Sequence, residues 1–129
     1  MDLREVILFV DDMEKALDFY VGKLGLRLRN FHSVQEASKS PWVELESGTT
    51  RLDLHKSNEA PKVRKVGLVF IVPQITKSRE VLVARGIEFG EIREIAPGIL
   101  ECAASDPFGN QVSLIQLTAL HPEGRSRSA

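Results

Sequence analysis

The sequence predicts an α+β protein made of two tandem βαβββ modules. Three observations carry that expectation. Between Val6 and Leu26 a short apolar run changes abruptly to helical periodicity and stops at a glycine. The same succession of periods returns after residue 65. The two halves also match by counting: Val10 with Val72 and Met13 with Ile75 at a separation of 62, Gly25 with Gly86 and Gly48 with Gly109 at 61. A period held so closely marks a duplicated structural unit.

In the first half, Val6-Ile7-Leu8-Phe9-Val10 is β-branched and aromatic and is closed by Asp11-Asp12, the pattern of a buried strand. Met13, Ala16, Leu17, Tyr20, Val21 and Leu24 then recur at helical spacing, predicting a helix over 12–24 with Tyr20 and its neighbour Phe19 in the core. Asp11 is the expected N-cap, with Glu14 three residues on as its capping-box partner. Gly25 suits the left-handed turn that ends the helix. Leu26 to Phe31 alternates apolar and polar as a half-exposed strand does. Gln35 to Pro41 is polar and predicts a loop, and Trp42–Glu46 and Arg51–Lys56 predict a hairpin about Ser47-Gly48-Thr49.

Ser57 to Lys65 has the composition of a linker. The second half then predicts a strand over 66–72, a helix over 74–85 ending at Gly86, and a strand starting at Ile87. A hairpin follows, Ile99–Ala104 and Gln111–Leu117, around Asp106-Pro107-Phe108-Gly109-Asn110. Asp106 and Asn110 belong to that turn, where their side chains bond nearby backbone. The expected organisation is one domain over 1–117, with module one at 1–57 and module two at 66–117. A polar, frayed tail occupies 118–129 and includes His121, Pro122, Gly124 and Arg125.

Composition excludes several classes. An apolar content of 43% with 27% charged residues is that of a globular domain with a real core. A net charge of −1 supplies no attraction to nucleic acid or to an anionic membrane. No apolar run approaches the roughly 18 residues of a membrane span, and no basic-then-apolar secretory leader opens the sequence. The single Cys102 has no partner for an internal disulfide and no neighbour in sequence to lower its pKa, so an inert thiol in a reducing cytoplasm is expected.

Strand alternation assigns faces. Val6, Leu8 and Val10 should meet the helix, with Glu5, Ile7 and Phe9 on the open side. Leu52 and Leu54 face inward against Arg51, Asp53 and His55, while Trp42 and Glu44 join the open side from the third strand. In module two, Leu68, Phe70, Val72, Val112 and Leu114 face inward against Gly67, Val69, Ile71, Gln111, Ser113 and Ile115. Open faces mixing aromatic, aliphatic and ionisable groups on a curved sheet suit a small organic ligand. The expected ligand-binding residues are Glu5, Ile7, Phe9, Trp42, Glu44, Arg51, Asp53, His55, Val69 and Ser113.

The run Val10-Asp11-Asp12-Met13-Glu14-Lys15-Ala16-Leu17-Asp18-Phe19-Tyr20 followed by Leu24-Gly25-Leu26 resembles the opening signature of the vicinal-oxygen-chelate superfamily, the glyoxalase, bleomycin-resistance and extradiol-dioxygenase group. Asp106-Pro107-Phe108-Gly109-Asn110 resembles its second hallmark, a DPxGN turn before the last strand. The resemblance covers residues 5–117 and implies two modules around a shared groove, commonly in a homodimer. It also implies a metal question, because the family's metalloenzymes carry His or Glu on the first and last strands of each module. Those positions fall on Glu5, Asp53, Gly67 and Ser113. Gly67 has no side chain and Ser113 is a poor donor. The resemblance therefore implies no cofactor, with a divalent metal on Glu5, Asp53 and His55 as the alternative.

Glu5 and Asp53 have three readings: a metal half-site, a proton-sharing pair that grips a ligand, or two solvated strand-end acids with one paired to Arg51. His55 is either a third donor or base, or an ordinary half-exposed residue. Trp42 either stacks on a planar ligand or fills a dimer interface. His32 and His121 carry no spacing signal. The function expected is metal-independent binding of a small organic molecule by a cytoplasmic homodimer, with no nucleic-acid or membrane partner. The rival is a divalent-metal lyase, isomerase or dioxygenase using Glu5, Asp53 and His55.

Overall fold

Residues 5–58 and 66–118 are described by the computed structural model. The predicted linker falls mostly on 59–65 and the predicted tail on 119–129, both outside the described residues. The chain divides into two compact units, one ending at residue 64 and the other starting at residue 65. The first contains β1 (Glu5–Val10), α1 (Met13–Leu17), β2 (Arg27–Leu28), α2 (Val34–Ala37), β3 (Trp42–Ser47) and β4 (Thr50–Lys56). The second contains β5 (Gly67–Ile71), α3 (Ile75–Ala84), β6 (Arg93–Ala96), β7 (Ile99–Ser105) and β8 (Gln111–Leu117).

Each unit holds a four-stranded sheet of the same topology, β1-β4-β3-β2 and β5-β8-β7-β6. The first and last strands of each unit run parallel and the remaining pairs are antiparallel. The repeat predicted by spacing is thus a repeat of topology, and its matched glycines adopt matched backbone. Gly25 and Gly86 end their helices at φ 88° and 98°, and Gly48 and Gly109 turn their hairpins at 58° and 85°.

Burial follows the predicted alternation except at Asp53 and Ser113, which were expected on the open faces and are buried with their strand neighbours. Leu8, Val10, Val43, Leu45, Leu52 and Leu54 are buried on one face of the first sheet, under Met13, Ala16, Leu17, Phe19 and Tyr20. Each such aliphatic side chain contributes about 1.5–3 kcal/mol on removal from water. In the second unit Ile75, Leu82, Cys102, Ala104, Val112 and Leu114 form the corresponding core with Ile87 and Phe89.

Four local expectations are corrected. The helix predicted over 12–24 is α-helical only to Leu17, and Asp18–Lys23 is wound as a π-helix in which Leu24 N–H reaches Phe19 O at 2.8 Å. The wider winding lets adjacent Phe19 and Tyr20 both turn inward, edge to face at 5.0 Å. The N-cap is Asp12, whose Oδ1 accepts the Lys15 amide at 3.0 Å, and Asp11 is exposed. The cap must stand in extended backbone beside the first helical residue, and Asp12 does so at φ −138°, ψ 102°.

The loop predicted at Gln35–Pro41 begins with helix α2, because Ser33 Oγ caps the Glu36 amide at 3.2 Å and Ala37 is buried beneath. Two predicted strands are short. At Leu26–Phe31 the ladder covers Arg27–Leu28 and ends with Arg29 N–H on Glu44 O at 2.8 Å, because the Asn30 side chain takes the Glu44 amide at 2.9 Å. From Ile87 the ladder starts only at Arg93, because the Arg79 guanidinium binds the carbonyls of Phe89 (3.0 Å) and Gly90 (2.8 Å).

The Asp106–Asn110 turn is structural, as expected. Asp106 Oδ1 accepts the amides of Phe108 (2.8 Å) and Asn110 (2.7 Å), and its Oδ2 accepts Asn110 Nδ2 at 2.9 Å. Asn110 Oδ1 in turn accepts the Val66 amide at 3.0 Å, tying the turn to the start of β5.

Two variants separate the adjacent acids at the helix entry. Asp12→Ala should cost about 1 kcal/mol in urea denaturation, the usual worth of an N-cap, whereas Asp11→Ala should stay within about 0.5 kcal/mol. Equal losses would show that the cap geometry is misassigned.

Candidate functional site

The open face of the first sheet is built in three cross-strand rows. Glu5, Arg51 and Glu46 form one, Ile7, Asp53 and Glu44 the next, and Phe9, His55 and Trp42 the third. Register alone brings these together: with Leu8, Leu54 and Val43 on the helix side, their neighbours must point the other way. Eight of the ten expected ligand-binding residues therefore share one face. Val69 and Ser113 are direct partners on the open face of the second sheet, where Val69 is 59% exposed and Ser113 is buried.

The first two rows form a charge cluster centred on Arg51. Its Nη2 lies 2.6 Å from Glu5 Oε2, 2.9 Å from Asp53 Oδ2 and 3.4 Å from Glu44 Oε2. Glu44 also accepts from Arg29 Nη1 at 2.7 Å and Trp42 Nε1 at 3.2 Å. Asp53 is fully buried. It is no solvated strand-end acid, and it shares a guanidinium with Glu5 in place of the proton considered from the sequence. A buried carboxylate needs such a partner, because leaving water without one is strongly unfavourable.

The cluster perturbs its own titration. The hydrogen bond to Asp53 holds the Arg51 guanidinium more firmly protonated; burial opposes this, while the charges of Asp53, Glu44 and Glu5 reinforce it. For Glu44, burial opposes ionisation, but hydrogen bonds from Arg29 and Trp42 and the charges of Arg51 and Arg29 outweigh it. The carboxyl is held below its usual range.

The third row is apolar and planar. The His55 ring packs edge to face on Trp42 at 4.0 Å and on Phe9 at 5.9 Å. Phe9 remains 50% exposed and Ile7 36%, so the row presents an accessible shelf beside the charge cluster. Trp42 joins the two, with its ring on His55 and its N–H on Glu44.

The residues fit a metal poorly. Glu5 and Asp53 spend an oxygen each on Arg51, and His55 is packed between rings. Ser113 Oγ accepts from Gln111 Nε2 at 3.0 Å. At Gly67 an added Cβ would meet open space, so nothing but the missing side chain denies a donor there. Among the described residues no group of three or more His, Cys, Asp or Glu is arranged to hold an ion.

Sequence reasoning missed Arg27, Arg29 and Glu46. Arg29 bridges Glu44 and Glu46, and Arg27 reaches Glu46 at 3.5 Å. The signal was legible: Arg27 and Arg29 alternate in one strand and Glu44 and Glu46 in the next, a complementary cross-strand pattern. In the second unit a recess of about 260 Å³ is lined by Gly90, Glu91, Arg93, Glu101, Cys102 and Ala103. Burial pushes the Cys102 thiol up, Arg79 opposes this and Glu101 adds to it, leaving an unreactive group.

The sequence matches the family described as the Glyoxalase/Bleomycin resistance protein/Dioxygenase superfamily over residues 3–114, and the chain belongs to that superfamily. Among solved structures it is similar to a superfamily member from Sphaerobacter thermophilus DSM 20745, at 28% identity and a TM-score of 0.69, covering 90% of this chain and 97% of that one. It is similar at 24% identity and a TM-score of 0.73 to TnmS3, an antibiotic binding protein from Streptomyces sp. CB03234, covering 92% and 97%. A lactoylglutathione lyase from Agrobacterium tumefaciens is 18% identical with a TM-score of 0.70, covering 89% and 92%. The last two are likenesses of fold. A comparison with curated proteins gave no match. Among the described residues no helix is long and apolar enough to cross a membrane.

The depressed Glu44 carboxyl makes a signed prediction. Its folded value lies below its unfolded value of about 4.3, so the unfolded chain takes up the proton first as pH falls. The stability it contributes is complete above the unfolded value and is lost as pH drops through the folded one. The stability difference between wild type and Glu44→Gln should be constant above about pH 5 and narrow below it. A difference unchanged down to pH 3 in urea denaturation would remove Glu44 from the cluster.

Proposed function

We propose that the protein binds a small, planar organic molecule on the open face of the first sheet, without a catalytic metal. The observation that carries this is the aromatic row, a half-exposed Phe9 beside the edge-to-face pair His55 and Trp42, joined to a charge cluster whose acids are ion-paired with Arg51 and Arg29. A ring laid on this shelf would bury apolar area and gain edge or face contacts, each worth about 0.5–1.5 kcal/mol beyond the area term. Glu5, Ile7, Glu44, Arg51 and Asp53 would border it; Val69 and Ser113 are proposed as ligand contacts of the second sheet taken by itself. The similarity in fold to an antibiotic binding protein supports a role in holding a molecule rather than transforming it.

The metal-enzyme alternative would need Glu5, Asp53 and His55 as donors. Their engagement with Arg51 and with aromatic rings favours binding. Exposed Val69 and Ile71 on the second sheet support a homodimer that covers them. The proposed setting is the cytoplasm, with no nucleic-acid or membrane partner.

Trp42 is the single tryptophan and is its own reporter. Planar aromatic compounds titrated into the protein should change its emission, and Phe9→Ala or His55→Ala should weaken binding about 3- to 10-fold, the loss of one ring contact. A broad compound set that leaves emission unchanged, together with native mass spectra showing no co-purified small molecule, would overturn the reading. Light scattering should give twice the 14.4 kDa chain mass, and a mass of one chain across micromolar concentrations would remove the dimer.

A further inference from the structure

The second sheet repeats the cross-strand rows of the first, but one row lacks the ion pair at its outer end. Ile7, Asp53 and Glu44 correspond to Val69, Ser113 and Ala103, and Phe9, His55 and Trp42 to Ile71, Ile115 and Glu101. Next to Glu44 the Arg29 amide bonds Glu44 O at 2.8 Å, and next to Ala103 the Gly90 amide makes the same bond to Ala103 O at 2.9 Å. In the first unit two long side chains fill this place, with Arg29 Nη1 on Glu44 Oε1 at 2.7 Å. Gly90 and Ala103 have nothing long enough to fill it, and the recess of about 260 Å³ stands there. Its rim is charged. Glu91, Arg93 and Glu101 line it, and among the described residues their side chains make no ion pair or hydrogen bond. Arg93 and Glu101 are direct cross-strand partners, as Arg27 and Glu46 are, yet only Arg27 and Glu46 meet, at 3.5 Å. The wall behind them is fixed, because Gly90 N–H is held by Ala103 O and its carbonyl by Arg79 Nε at 2.8 Å. A wall already held in place adds little ordering cost to binding.

We propose that this recess is a second small-molecule site, which takes a basic α-amino acid such as arginine or lysine. The ligand's carboxylate lies on the Arg93 guanidinium, whose planar fork matches it bond for bond. Its two cationic groups lie on Glu101 and Glu91. The rim carries two acids and one base, the ligand two cations and one acid, so every charge finds a partner. In the first unit the same place is held by a guanidinium on a carboxylate, and the ligand brings to the second unit the cation that Gly90 lacks. The volume lies below the roughly 300–1,000 Å³ of sites for drug-sized molecules, which suits a molecule of amino-acid size. The site lies wholly within the second unit and does not involve the aromatic row of the first sheet.

Amide NMR spectra of the whole chain, titrated with L-lysine and L-arginine, test the site. Saturable shifts should appear at Gly90, Glu91, Arg93 and Glu101 to Ala103, with a Kd of about 1 mM or tighter. Sodium chloride of equal ionic strength should not reproduce them, and L-glutamate, with the opposite balance of charge, should bind about 10-fold more weakly or worse. Arg93→Gln and Glu101→Gln should each weaken lysine binding about 10-fold, the loss of one charge-assisted bond. Gly90 has no positive φ, and an added Cβ there meets only Ala103 O at 3.7 Å, so the backbone accepts Gly90→Leu. That variant should fill the recess and abolish binding while the rest of the spectrum stays in place. If it fails to fold, the two glutamine variants decide. The proposal is overturned by the absence of saturable shifts at millimolar ligand, by shifts that salt reproduces, or by wild-type affinity in both glutamine variants. Failure of planar aromatic compounds to bind the first sheet is read on Trp42 and leaves this measurement untouched.

Discussion

Each unit has to bury one face of a four-stranded sheet beneath a single helical segment, and everything on the other face follows from that. Leu8, Leu54 and Val43 lie in one cross-strand row and are buried together, as are Leu52 and Leu45 in the next. Because side chains alternate with a period of two, slipping β4 by one residue would place Arg51, Asp53 and His55 in the core. Burial on the helix side thus locks the register that assembles the charge cluster and the aromatic row.

The charge cluster depends on which of its contacts are out of water. Arg27 and Glu46 form an exposed pair whose attraction is screened and slight. Arg51 and Asp53 are different, since Asp53 is fully buried and the Arg51 side chain is 13% exposed. Removing either would strand the other, so these two residues anchor the face while the outer arginines adjust its surface charge. The anchor also holds Glu5 and Glu44, and it gives the aromatic shelf a border of fixed charge.

Much of the fold was legible in the sequence because it rests on period and on glycine. The switch from period two to helical spacing at Asp12, and the recurrence of Gly25 and Gly48 as Gly86 and Gly109, are local properties that tertiary packing had no cause to override. The Ser33-Val34-Gln35-Glu36 capping pattern was equally local, but polar composition obscured it. The π-helical turn and the shortened strands were not legible. Each arises when a distant group takes a backbone partner or a core position: Arg79 on the carbonyls of Phe89 and Gly90, Asn30 on the amide of Glu44, and Phe19 against Tyr20.

By itself the sequence determined the duplicated βαβββ plan, the division of strand residues between two faces, and the absence of side-chain donors at Gly67. These depend only on order and alternation. Tertiary structure alone decided that Glu5, Glu44 and Asp53, from three strands, meet on one guanidinium, and that His55 lies against Trp42 and Phe9. Those contacts join residues up to 46 positions apart, and only the pairing of β1, β4 and β3 sets their distances.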